Sequence, residues 1–250
     1  MKVFSKTDVG KVRAENQDTV WSEMIAPNAA AAVLCDGMGG EHEGGLASRM
    51  AVEIISQHIR ENFSDRMSHN SIRNMLVIAV NKANVEVFEK ACRLRDSDNF
   101  VMGTTCVAAI VFEGCAHIIN VGDSRAYFIY VDEEGDECLR QITKDHSRVQ
   151  MLIDRGEITA EQARHHEERS CITRAIGADE DVNPDYFEQP LESGNLILLC
   201  SDGLSSYGDD LDILDICCEA HSEDICEALV RYANNNGGRD NISVAVIAAE

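Results

Sequence analysis

The stretch Thr104-Thr-Cys-Val-Ala-Ala-Ile-Val-Phe112-Glu-Gly-Cys115-Ala-His-Ile-Ile-Asn-Val121 holds two apolar runs joined only by Glu113-Gly114. A two-residue connector cannot carry the crossover that parallel neighbours need, so the runs pair as an antiparallel hairpin. Arg125 to Val131 and Cys138 to Ile142 continue the pattern across the short polar turn Asp132-Glu-Glu-Gly-Asp136. Four such strands in succession exclude a doubly wound parallel sheet.

On the N-terminal side, Val3 to Thr7, Asp18 to Ile25 and Ala30 to Cys35 read as strands, the last entered through the Pro27-Asn28 turn. Ala47, Met50, Ala51, Ile54, Ile55 and Ile59 then recur at helical spacing, as do Ile72, Met75, Leu76, Ala79, Ala83 and Val87. On the C-terminal side, residues 144–183 are charged and irregular, with one helix near Ser147 to Asp154 closed by Gly156. There follow a strand from Asn195 to Cys200, an acidic helix from Leu211, a helix from Ser222 to Ala233, and a terminal strand from Asn241 to Ala248. Helices grouped between runs of antiparallel strands predict an α+β layered sandwich, in which sheet faces meet and helices cover the outside. The 250 residues suffice for one domain with a full core.

Composition narrows the function. With 22 basic against 44 acidic residues the net charge is −22, which argues against nucleic acid or an anionic membrane as partner. The N-terminus runs from Met1-Lys-Val-Phe-Ser-Lys6 into polar residues without an apolar leader, and no apolar run reaches membrane-spanning length, so a cytoplasmic location is expected. The 10 cysteines include no Cys-x-x-Cys pair, and Cys35 and Cys200 sit inside apolar runs, so they read as small core hydrophobes.

Four apolar runs are punctuated by aspartate: Ala30-Ala-Ala-Val-Leu-Cys-Asp36-Gly-Met-Gly-Gly40, Ile118-Ile-Asn-Val-Gly-Asp123, Asn195-Leu-Ile-Leu-Leu-Cys-Ser-Asp202 and Asp240-Asn-Ile-Ser-Val-Ala-Val-Ile247. Asp-Gly alone is a turn pair, and Asp36 is read here as followed by a flexible turn. Acids at several strand ends together suggest a site for Mg²⁺ or Mn²⁺, because carboxylates, carbonyls and water suit those ions whereas zinc calls for His or Cys at ligand spacing. Two such cations can generate hydroxide near neutral pH for in-line attack on phosphorus, with Arg13 gripping the phosphoryl oxygens.

Thr7-Asp-Val-Gly10, Arg13-Ala-Glu-Asn-Gln-Asp18, Asp36-Gly-Met-Gly-Gly40, Gly103-Thr-Thr105, Asn120-Val-Gly-Asp-Ser-Arg125, Asp145-His-Ser147, Ile172-Thr-Arg-Ala-Ile-Gly177, Ser201-Asp-Gly-Leu204 and Gly238-Arg-Asp-Asn-Ile242 occur in that order along nearly the whole chain. In this the sequence resembles the PP2C, or PPM, family of metal-dependent serine/threonine phosphatases, in its compact bacterial form. The resemblance implies a four-layer α/β/β/α sandwich over residues 1–250, with a variable flap at about 147–178. It also implies a binuclear Mn²⁺ or Mg²⁺ centre: Asp36 bridging both ions, the Gly37 carbonyl on one, Asp202 and Asp240 on the other, and Asp18 orienting water. Asp123 matches a ligand of a weaker third ion, and Arg13 matches the phosphate-binding arginine. Phosphoserine and phosphothreonine would be hydrolysed directly by a metal-bridging hydroxide. The partners implied are phosphorylated targets of a serine/threonine kinase and the kinase itself, with the phosphatase a monomer.

Two positions depart from the family pattern. Gln17 stands where many members carry Glu, so weaker divalent binding is expected. Met38 stands where animal-type members carry His, so the leaving group must take its proton from elsewhere. Arg164, His165, His166 and Arg169 in the flap read as solvated charge or as phosphopeptide contacts. Alternative functions are a catalytically silent phosphoprotein-binding relative and a hydrolase of small phosphate esters.

Overall fold

The computed structural model describes residues 1–40, 42–95 and 100–249. The elements run β1 (Lys2–Asp8), β2 (Asp18–Ala26), β3 (Ala29–Gly39), α1 (Glu43–Asn62), α2 (His69–Leu94), β4 (Met102–Thr104), β5 (Cys106–Phe112), β6 (Cys115–Val121), β7 (Arg125–Val131), β8 (Glu137–Gln141), α3 (Arg148–Asp154), α4 (Ala160–Arg164), β9 (Asp185–Pro190), β10 (Leu196–Cys200), α5 (Asp202–Ser205), α6 (Asp210–Glu219), α7 (Ile225–Asn235) and β11 (Ile242–Ala248). One sheet has the order β1-β11-β10-β7-β8 and the other β2-β3-β5-β6-β9, with β4 paired to the far end of β3. The β5–β6 and β7–β8 hairpins are antiparallel as their short connectors require.

Strand pleating divides the core into three parts. Ala29, Ala31, Val33 and Cys35 of β3 pack with α1 and α2, while Ala30, Ala32 and Leu34 of the same strand face the second sheet. Tyr127, Leu198, Cys200, Val244 and Val246 point the other way, onto α6 and α7. Each central strand is therefore buried on both faces, which is why it is apolar throughout rather than alternating. Leu34, fully buried between the sheets, contributes about 2–3 kcal/mol through burial of its side chain. The result is the four-layer α/β/β/α sandwich that the sequence implied.

Several features differ from the sequence reading. The residues after Asp36 do not turn: β3 continues to Gly39 and pairs with β4, Gly37 opposite Thr104. The single strand expected from Thr104 to Phe112 is split at Thr105, where the backbone N–H leaves the ladder to bond Asp36 O at 2.9 Å. In addition β9 lies on the edge beyond β6, where a polar sequence ending in Pro190 hid it. The short α4 carries a capping box from Thr159 and Gln162, but like α5 it is too brief to show a helical period.

The C-terminal end of the flap is fixed to α2 by one buried side chain. Asn84 donates to Asp179 O at 3.1 Å and Glu180 O at 2.9 Å, and its Oδ1 accepts from Gly177 N at 2.8 Å. Asn84→Leu keeps the volume but strands three backbone groups, so a loss of about 3 kcal/mol or more is expected from urea denaturation at unchanged m-value.

Candidate metal centre

A cavity of about 800 Å³ opens at the rim of the sandwich, lined by Arg13, Gln17, Asp36, Gly37, Met38, Asp123, Arg169, Asp202, Tyr207 and Asp240 among others. Four of the acids singled out in the sequence thus face one space. Asp18 lies beside them, cross-strand from Asp36 in the β2–β3 ladder.

Each acid is held through its backbone. Asp36 N donates to Thr105 Oγ1 at 2.9 Å, Asp36 O accepts from Thr105 N and from Thr104 Oγ1 at 2.8 Å, and Thr105 Oγ1 is 2.7 Å from Ser124 Oγ. Next to it, a Cβ on Gly37 would stand 2.1 Å from Gly44 O, so only glycine lets β3 pass against the start of α1. Asp202 opens α5, and a Cβ on Gly203 would stand 1.9 Å from Asn241 O, so the first turn of α5 lies backbone to backbone against the residue that leads into β11. Asp123 follows Gly122, whose N–H donates to His146 Nδ1 at 3.0 Å and whose carbonyl accepts from His146 N at 2.9 Å. Arg125 then closes the loop with a fork of bonds to Asp145, of 3.0 Å from Nε and 2.7 Å from Nη2.

The Arg13 loop hangs on Asn241. Its Nδ2 donates to Val9 O and Glu15 O, both at 2.9 Å, and its Oδ1 accepts from Gln17 N at 2.8 Å. Arg13, about half exposed, places Nη2 2.7 Å from Asp240 Oδ2. Gln17 donates from Nε2 to Gly40 O at 2.9 Å, fixing the end of the Gly37-Met-Gly-Gly40 segment.

Crowding the acids perturbs them strongly. Burial pushes the Asp18 carboxyl up to about 7, with Asp202 and Asp240 adding repulsion against the hydrogen bond from Ser201. Asp123 is raised to about 8 by burial, Asp202 and Asp145. Asp202 is raised to about 6 by burial and Asp240, despite a hydrogen bond from Asp36. Asp36 is pushed well above the usual carboxylate range by burial and then by Asp18 and Asp202. Asp18 Oδ2 accepts from Ser201 Oγ at 2.8 Å, whereas its buried Oδ1 has no hydrogen-bond partner. A concentration of buried and half-buried carboxylates with an orphaned oxygen is the environment a hard cation relieves. Among the described residues no His or Cys lines the cavity, so its donor chemistry fits Mg²⁺ or Mn²⁺ rather than zinc.

The sequence reading did not assign Thr105, Ser124, His146, Ser201 and Asn241, which hold the acids in place. Only the appearance of all five inside the quoted motifs could have flagged them. In the flap, Arg169 reaches the cavity, and Arg164, His165 and Arg169 line an adjoining pocket with Tyr207 and Arg239. His166 does not join them; its Nδ1 accepts from Glu168 N at 3.1 Å.

Comparison with known proteins gives a consistent match. The family model for protein phosphatase 2C matches residues 11–243. The serine/threonine phosphatase stp of Listeria welshimeri is 33% identical over 243 residues, covering 97% of this chain and 93% of that protein. Among solved structures, serine/threonine phosphatase Stp1 from Staphylococcus aureus superposes with a TM-score of 0.89 at 33% identity, covering 100% of this chain and 95% of that one. The catalytic domain of the serine threonine protein phosphatase PstP, solved in complex with two manganese ions, has a TM-score of 0.82 at 28% identity, covering 100% and 98%.

The raised carboxyls make a signed prediction for the protein stripped of metal by EDTA. A carboxyl whose pKa is higher folded than unfolded binds its proton more tightly in the native state. Its contribution is complete below about pH 4 and lost as pH rises through the folded value. Relative to wild type, Asp18→Asn should therefore gain stability between about pH 4 and pH 7, by roughly 1 to 4 kcal/mol at the upper end. Denaturant unfolding at pH 4.5 and pH 8 in EDTA measures it; an equal difference at both values would refute the assignment.

Proposed function

Because the chain belongs to the protein phosphatase 2C family, we propose that it hydrolyses phosphoserine and phosphothreonine on proteins in one step, without a phosphoenzyme, in the aspartate-lined cavity. The observation that carries this is the convergence of Arg13, Asp36, Asp202 and Asp240 on one open space.

In this reading residues 1–250 form one catalytic domain. Asp36 would hold two Mn²⁺ or Mg²⁺ ions, the Gly37 carbonyl would contribute to one, and Asp202 and Asp240 would hold the other. Asp123 would share a weaker third ion with Asp202, and Asp18, cross-strand from Asp36, would orient water at the centre. Bound there, the cations supply Lewis acidity toward phosphoryl oxygens and a hydroxide nucleophile near neutral pH.

The remaining steps belong to side chains. Arg13 sits on the rim with one nitrogen on Asp240, and its other N–H groups are available to phosphoryl oxygens. At a net charge of −22 the far field repels a phosphorylated substrate, so attraction has to be local, from the bound cations, Arg13 and Arg169. The flap at about 147–178 borders the same space through Arg169, Ser170 and Ile172, where a phosphopeptide's flanking residues would lie. Met38 lines the cavity and has no proton to give, so the leaving alkoxide is protonated by water or another group. The substrates are taken to be targets of a serine/threonine kinase, and the kinase itself.

Two measurements test the reading. Turnover of a phosphothreonine peptide with saturating Mn²⁺ should fall about 10²-fold or more in Asp202→Asn and vanish for wild type in EDTA; wild-type rates in the variant, or EDTA-insensitive turnover, would overturn it. Gln17→Glu adds a carboxylate but loses the donor to Gly40 O. Calorimetric titration should show tighter Mn²⁺ binding, by roughly 1.4 kcal/mol per tenfold change, while the metal-free variant melts below wild type.

A further inference from the structure

A second group of ligand-type side chains lies outside the aspartate cavity, where the start of α2 meets β6. Cys115 and His117 are alternate residues of β6 and therefore share one face of the strand. His69 is the first residue of α2, behind the Ser68 cap. One donor atom from each of the three lies within 4.8 Å of the other two. His69 Nδ1 is 3.1 Å from His117 Nε2, close to the roughly 3.3 Å between two imidazole nitrogens on a tetrahedral zinc ion.

The buried histidine is already oriented for this. Its Nδ1 lies 2.6 Å from Tyr186 OH, and that phenol donates to Glu188 Oε1 at 2.9 Å. With the phenol proton committed to Glu188, the phenol oxygen accepts from His117 Nδ1–H. The lone pair is thereby placed on Nε2, the nitrogen facing His69. An outer carboxylate that fixes tautomer and ring in this way is the usual companion of a metal-binding histidine. Sheet register supplies it, since Glu188 of β9 stands opposite His117. Arg73, one helical turn after His69, lies 5.1 Å above the Tyr186 ring and holds α2 over the same spot.

A satisfied pair of histidines would account for the hydrogen bonds alone, but not for a thiol at the third corner. We propose that His69, Cys115 and His117 bind one borderline-soft divalent cation of the zinc class, with a fourth position open to solvent beside exposed His69. Binding releases one proton, that of the Cys115 thiol, and shifts the His69 proton from Nδ1 to Nε2. The ion would tie the first turn of α2 to β6.

Cobalt(II) titrated into the full chain, with excess Mg²⁺ present to occupy the oxygen donors, tests this. One equivalent should produce a thiolate-to-cobalt charge-transfer band and the intense visible bands of tetrahedral Co²⁺, both bleached by Zn²⁺. Cys115→Ser and the exposed-site variant His69→Ala should each lose the charge-transfer band or the tight binding. Tyr186→Phe, which keeps all three ligands, should weaken Zn²⁺ binding by about 10- to 100-fold. No charge-transfer band in wild type, the same band in Cys115→Ser, or wild-type Zn²⁺ affinity in His69→Ala would overturn the proposal.

Discussion

Crowding Asp18, which is buried, with the half-buried Asp36, Asp123 and Asp202 around one cavity is the constraint that the rest of the structure has to meet. Desolvation and mutual repulsion raise all four carboxyls, and like charges directly opposite in a ladder, as Asp18 and Asp36 are, push the strands apart. The opposing force is apolar burial in the three layers beneath, together with a mesh of backbone bonds at the rim. Thr105 grips Asp36, Asn241 grips the Arg13 loop, and His146 grips Gly122. At Gly37 and Gly203 the packing admits no side chain at all. A rim built this way stays closed with its acids charged only when positive charge is at hand. Local cations and the stability of the fold are therefore coupled.

The sandwich was legible wherever one physical signal dominated. Short connectors at Glu113-Gly114 and residues 132–136 required antiparallel pairing, and apolar residues at helical spacing located α1 and α2. Where two signals competed, the reading failed. Asp36-Gly37 has the chemistry of a turn, yet a partner strand, β4, and the close passage of Gly44 hold it extended. Edge strand β9 satisfies only one neighbour and needs no apolar alternation on its outer side. Its assignment rests on pairing with β6, a tertiary fact that no local window contains.

The candidate centre divides along the same line. Its acids stood out because three apolar runs end in aspartate and a fourth begins with one, a juxtaposition that a single turn pair does not explain. The residues that aim those acids are Ser, Thr, Asn and His, types that carry no signal until a partner is known. The Arg125–Asp145 fork shows this: twenty residues separate the two, and only the β7–β8 hairpin brings them together. Charge at the scale of the chain does not describe the site. A protein at −22 places Arg13 and Arg169 on the one surface that a phosphate has to reach.

Strand β6 links the two metal-type constellations. Toward its start it carries Cys115 and His117, and its end leads through Gly122 into Asp123; His117 and Val121 are separated by about 13 Å of strand. The donor sets at the two ends are chemically opposite. First-row ions bind nitrogen and oxygen sites with affinities that rise toward copper and fall back at zinc, so affinity alone would let a zinc-class ion displace Mn²⁺ or Mg²⁺ from the carboxylates. Separation by donor type would avoid this: an all-oxygen cavity would hold the hard ions least badly, while a thiol and two imidazoles on the inferred site would take the softer ion first. Because β6 is buried along its whole length, an ion at His117 would stiffen the strand that positions Asp123 without touching the cavity itself.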